Sequence, residues 1–208
     1  MTRCSTGMAA GALAVLTVLA VGRLRAADDR TLYAGAEKCR LCHSAESKGS
    51  AFRKWLEGGH RKAYGSLIAD KAKKIAKERS VLDPKNDKAC LACHVTALDV
   101  PAEKKDKKFD QTLGVQCESC HGPGAEHVRR RLDELGNDDT KPVEIPKGEI
   151  VAVPPAKTCA QCHNDDSPTH KPFDYAKELK KISHLDSRKD YPADYLDKLG
   201  AQGGQGGQ

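Results

Sequence analysis

Cys39-Arg40-Leu41-Cys42-His43, Cys90-Leu91-Ala92-Cys93-His94, Cys117-Glu118-Ser119-Cys120-His121 and Cys159-Ala160-Gln161-Cys162-His163 are four copies of one pattern, Cys-x-x-Cys-His. Two cysteines separated by two residues lie on one turn. Their sulfurs can form thioethers to the two vinyl groups of a single porphyrin, and the next residue carries an imidazole under the ring as an iron ligand. This is the attachment pattern of a c-type haem. The spacing therefore implies four covalently bound haems, held through Cys39, Cys42, Cys90, Cys93, Cys117, Cys120, Cys159 and Cys162. His43, His94, His121 and His163 are the proximal iron ligands.

Paired Cys-x-x-Cys units also build zinc sites, but those gather thiolates in fours and have no need of a histidine after every pair. With eight histidines in 208 residues, chance would put one after all four pairs in roughly a few cases in a million. Dithiol redox chemistry needs one pair on a βαβ scaffold, and no such pattern occurs.

The first residues read as a leader, 1–27, to be left out of fold reasoning. Arg3 gives it a positive start, residues 8–21 are apolar, and Leu24-Arg25-Ala26-Ala27 supplies small residues for cleavage. The run is short for a bilayer span; an uncleaved N-terminal anchor is the alternative. Of nine cysteines, Cys4 alone stands outside the motifs, and it falls in this leader. Both methionines, Met1 and Met8, fall there too. The remainder has no methionine, so His/Met ligation, which raises cytochrome potentials, is closed to it. Loss of Arg3, Arg23 and Arg25 lowers the formal charge from +6 to about +3. Eight propionates would lower it further. No basic stripe interleaved with aromatics suggests nucleic acid. The lysine-rich runs at 71–77 and 104–108 read as solvated faces or docking patches for an acidic redox partner.

Aromatic residues make up only 4% of the chain, and aliphatic residues are sparse between the motifs. So little apolar side chain makes a poor core. Porphyrin faces would provide it, with thioethers stapling the chain around them. The expected fold is mainly α, a small multihaem cytochrome fold with few strands and a core of stacked covalent haems. Its expected divisions are the leader (1–27), a tetrahaem domain (28–199) and a disordered Gly/Gln tail (200–208). Helices are expected over 47–58, 66–80, 125–135, 174–184 (capped by Asp174) and 187–199, with an irregular proline-rich connection at 137–155.

Four histidines lie outside the motifs: His60, His127, His170 and His184. His60 follows a helix and Gly58-Gly59. His127 sits on a helix launched by Gly122-Pro123-Gly124, and His184 ends an apolar-faced helix. These three are the candidate distal ligands. His170, in a Pro-Thr-His-Lys-Pro turn with no packing element behind it, reads as a solvent histidine. Three distal histidines for four irons leave one five-coordinate. The open site falls to His94, whose motif is followed by Val95-Thr96-Ala97 and by no histidine before His121.

The first motif with its Trp55 helix and His60, Leu82-Asp83-Pro84 ahead of Cys90, and the run Gly114-Val-Gln-Cys-Glu-Ser-Cys-His-Gly-Pro-Gly124 together resemble the tetrahaem cytochrome c-554 family, electron acceptors of hydroxylamine oxidoreductase. The likeness runs over nearly the whole chain after the leader. Residues 159–184, with Ser167-Pro168-Thr169 and Phe173-Asp174-Tyr175, are similar to the last-haem segment of periplasmic multihaem cytochromes. The resemblance implies closely stacked haem pairs, three bis-histidine haems and one five-coordinate haem at the second motif. Five extra residues between His43 and His60 and a different loop between the second and third motifs depart from the family, which leaves the partner enzyme open.

These features point to a periplasmic carrier moving electrons between redox partners, an oxidoreductase or a quinol-oxidising membrane complex among them. The alternatives are an enzyme reducing a small nitrogen oxide such as NO or hydroxylamine at the open haem, and a haem subunit of a larger oxidoreductase. No acid/base or nucleophile constellation marks a catalyst.

Overall fold

A helix turn places residues i, i+3 and i+4 on one face, so a Cys-x-x-Cys-His motif in helical conformation presents both sulfurs and the imidazole together. The structure, a computed structural model, describes Met1, residues 31–134 and residues 143–204. Apart from Met1, the expected leader lies outside the described residues. Three motifs close short helices on their histidine: α1 (Ala36–His43), α5 (Lys88–His94) and α6 (Cys117–His121). The fourth begins in α8 (Ala156–Ala160) and continues as a turn, with the His163 amide still bonded to the Cys159 carbonyl at 2.9 Å. Between them run α2 (Ala51–Glu57), α3 (Ala63–Ser66), α4 (Asp70–Glu78) and α7 (Ala125–Asp133). The helices α9 (Tyr175–Ile182) and α10 (Tyr195–Gly204) complete the chain.

The fold is mainly α, as expected, and its strand content among the described residues is one isolated bridge, Tyr33 with Lys105. The helices are shorter than the sequence pattern suggests. Residues 47–58 split into a 3₁₀ turn (Glu46–Lys48) and α2, and 66–80 yields α4. Asp174 caps α9 as anticipated, its carboxylate accepting from the Lys177 amide at 3.0 Å. The C-terminal end differs from expectation. Residues 200–204, assigned to a disordered tail, continue α10, and Gly200 is buried against Ala176 of α9 so closely that a Cβ there would meet the Ala176 Cβ at 2.5 Å.

Among the described residues only seven apolar side chains are buried: Ala34, Ala36, Phe52, Leu67, Ala76, Val95 and Tyr175. Three of these are alanines, which bury little area. The elements are held instead by polar side chains emerging from the third motif. Gln116, 1% exposed, accepts from the Ala36 amide at 2.8 Å and donates to the Asp110 carbonyl at 3.0 Å. Its own amide donates to Thr96 Oγ1 at 2.7 Å. Glu118, also buried, accepts from the amides of Ala34, Gly35 and Gly124 at 2.8, 2.8 and 2.7 Å. These bonds lock the start of α1 onto α6 and bring the first motif beside the third.

Because bonds to a charged acceptor contribute about 1.5–3 kcal/mol each, and a stranded buried donor costs more, Glu118→Ala is expected to destabilise the holoprotein by about 3 kcal/mol or more. Glu118→Gln, which keeps one acceptor oxygen, should lose less. Guanidinium unfolding of both variants, with haem content checked, measures the difference.

Candidate haem-ligand site

Seven of the eight histidines gather around the motif helices, and six form three pairs. His43 faces His127 with ring centres 6.3 Å apart, His163 faces His60 at 6.1 Å, and His121 faces His184 at 5.7 Å. Each pair joins one motif histidine to one of the three candidate distal histidines. A ligating imidazole nitrogen lies about 2 Å from its metal and the ring centre about 1 Å further, so two imidazoles on opposite sides of one iron have centres about 6 Å apart. The observed spacings suit that arrangement.

His94 has no imidazole opposite it. Its Nδ1 lies 2.7 Å from the Ala63 carbonyl and 3.3 Å from Ser66 Oγ. His170 also stands apart from the other rings, its Nε2 3.5 Å from Asp165 Oδ1 in the turn after the fourth motif.

Long-range backbone contacts place the distal histidines. Gly114, at φ +81°, lies against the 60–61 backbone so tightly that a Cβ would sit 2.6 Å from the His60 carbonyl. The Val115 amide donates to that carbonyl at 3.0 Å, and Trp55 Nε1 donates to the Val115 carbonyl at 2.8 Å. His60 is thus pinned by its backbone to the strand of chain entering the third motif. Gly49, at φ +75°, does the same for His184, since a Cβ would lie 2.5 Å from both the His184 and Leu185 carbonyls. Lys54 Nζ donates to the Ser183 carbonyl and the Ser187 amide to the Ser47 carbonyl, at 2.6 and 2.9 Å. His127 is delivered by α7.

The tautomers are set in the same way. With Nδ1–H donating, Nε2 is left bare for a metal. His121 Nδ1 lies 2.6 Å from the Val151 carbonyl, His184 Nδ1 2.9 Å from the Ile182 carbonyl, and His127 Nδ1 2.8 Å from Glu149 Oε1. Burial, then the neighbouring His127, holds His43 down at about 4. Burial likewise lowers His60 and His121. These rings are neutral at pH 7, the form that ligates. Phe173 stacks on His163 at 4.6 Å.

The thiols meet between motifs. Cys39 is raised first by its hydrogen bond with Cys117. Burial, then Cys93, pushes Cys162 up to about 12, and burial, then Cys159, pushes Cys120 up to about 11. Attachment positions therefore adjoin in the order first, third, fourth, second. One further feature fits an anionic group. Arg131 is 14% exposed and pairs through Nη2 with Glu134 at 3.2 Å, but its Nε and Nη1 are buried without a partner, as a propionate would require.

Residues 38–122 match the family model described as cytochrome c554 and c-prime. Over those residues the chain is similar to the cytochrome c554 and c-prime family. Cytochrome c-554 of Nitrosomonas europaea is 37% identical over 123 residues, 57% of this chain and 48% of that protein. The chain thus spans about half the length of this curated relative. No solved structure matches. The match is narrower than the resemblance read from the motifs, ending at Gly122, ahead of His127 and the entire fourth motif. Sequence reasoning missed Glu149 and Arg131, which sit in or against a connection with no periodic pattern, and the backbone carbonyls that orient the rings, which no sequence signal reveals.

Gly49→Ala and Gly114→Ala combine a left-handed φ with a backbone clash, so each is expected to destabilise by about 1–3 kcal/mol. Gly59→Ala, whose Cβ meets nothing within 4 Å, should be nearly neutral, even though it adjoins His60. Parallel denaturant titrations of the three variants test this.

Proposed function

We propose that the chain is a periplasmic tetrahaem c-type cytochrome that carries electrons between redox proteins. The observation supporting this most strongly is the three motif-to-distal histidine pairs, each at a spacing suited to one bis-histidine iron. Haem iron bound at the four motifs would supply the one-electron couple. The polypeptide's part is to hold four such sites close together and to set their potentials through ligands, burial and nearby charge. The cysteine pairs would anchor the porphyrins. His43/His127, His121/His184 and His163/His60 would supply both axial positions at three sites, and Arg131 would meet a propionate.

The sulfur contacts give these sites a linear order, with the first motif at one end and the second at the other. Beside the first motif, Lys38, Lys105, Lys107 and Lys108 line a shallow groove with Glu103 and Asp106. This excess of positive charge suits an acidic redox partner, which favours electron entry at that end. Such lysines act mainly on encounter rate and salt dependence. Among the described residues no helix is long and apolar enough to cross a membrane.

Unpaired His94 favours a second reading at the opposite end. With Nδ1 tied to Ala63 and Ser66, its Nε2 would bind one face of an iron and leave the other for a small molecule such as NO. That site could bind or reduce a nitrogen oxide while the other three feed it.

Electron paramagnetic resonance of the oxidised holoprotein should show three low-spin irons and one high-spin iron, with NO perturbing only one site after reduction. His60→Ala, His127→Ala and His184→Ala are each expected to convert one low-spin signal to high-spin, whereas His170→Ala changes none. Four low-spin irons indifferent to NO would remove the open site.

A further inference from the structure

Glu149 lies in the irregular segment between the third and fourth motifs, and the function read from the histidine pairs makes no use of it. Its side chain is only 1% exposed. Oε1 accepts from His127 Nδ1 at 2.8 Å, Oε2 accepts from Arg130 Nη1 at 3.1 Å, and Arg131 Nη2 lies 3.5 Å from Oε1. The two guanidinium groups offset the cost of burying the carboxylate. The imidazole makes the short contact to Oε1, with Arg131 farther from that oxygen and Arg130 on the other.

The acceptors at the other anchored rings are neutral. His94, His121 and His184 turn Nδ1 toward the carbonyls of Ala63, Val151 and Ile182. His127 alone among these four leans on a carboxylate. A charged acceptor draws the N–H proton more strongly than a carbonyl does and leaves more electron density on the far nitrogen. A more basic axial ligand favours ferric over ferrous iron and lowers the potential.

We propose that Glu149 is a positioning residue that makes His127 a more electron-donating distal histidine than the carbonyl-bound His184. The site His127 shares with His43 is then more reducing than the site His184 shares with His121. This rests on His127 being an iron ligand. It deepens the functional reading, because it places the lower potential at the first motif, beside the lysine-lined groove. Electrons entering there would run downhill toward the third motif.

The test is Glu149→Gln in the four-haem holoprotein, followed by redox titration with paramagnetic resonance detection. One midpoint should rise until the equilibrium constant for reducing that haem has grown tenfold or more, equivalent to about 59 mV or more for one electron. The low-spin signal of the same haem should move while the other signals stay. Arg130→Gln, which strips a cation from the carboxylate and leaves it more fully to His127, should move that low-spin signal in the opposite sense. Unchanged midpoints in haem-replete Glu149→Gln would overturn the proposal, as would a midpoint shift with the low-spin signal unmoved. Should that variant fail to load four haems, Arg130→Gln decides, and an unmoved signal there is equally fatal. If His127→Ala leaves every low-spin signal intact, the ligand assignment has failed instead, a result distinct from either.

Discussion

Three pairs of imidazoles, 5.7–6.3 Å apart, stand where a protein of this size ordinarily keeps aliphatic side chains. The rest of the structure is arranged to hold those pairs open. Among the described residues seven buried apolar side chains, three of them alanine, cannot offset the conformational entropy of ordering more than 160 residues. Something else must fill the interior, and the rings, thiols and glycine contacts all converge on where a porphyrin would go. Helical motifs put two sulfurs and an imidazole on one face, and distal histidines arrive from segments remote in sequence.

The polar clasp at the third motif shows how the variable positions of the motif contribute. Glu118 takes no part in attachment, yet it collects three backbone amides from two other segments. Together with Gln116 it fixes the first motif against the third. Polar bonds suit this task better than aliphatic packing because they set direction as well as distance, and haem-to-haem geometry depends on both. The strap at 149–151 works similarly. The Val151 carbonyl and the Glu149 carboxylate orient His121 and His127, so one short segment governs ligands at two sites.

Much of this was legible in the residues themselves. Cysteine spacing located all four motifs, the absence of methionine beyond Met8 narrowed the choice of ligands, and Asp174 announced its helix. Pairing was not legible. Nothing in the sequence near His184 says that it meets His121; that follows from Gly49, far outside any local window, lying flat against the 184–185 backbone. Gly58-Gly59 beside His60 gave no sign of its anchor, whereas Gly114 and Val115 pin its backbone. Helix α10 runs into the expected tail because Gly200 packs on Ala176, a tertiary contact that outweighs a poor helix former. Glu149 stayed hidden in a proline-rich connection for the same reason, since its role exists only once α7 has folded over it.

The central claim is that covalently attached haems form the interior of this molecule. Intact-mass spectrometry of the protein, produced in a host able to attach haem, tests it most directly when iron is assayed on the same sample. The account predicts a mass above that of the polypeptide by four haems, with four irons per chain. A mass equal to bare polypeptide, or zinc in place of iron, would contradict it.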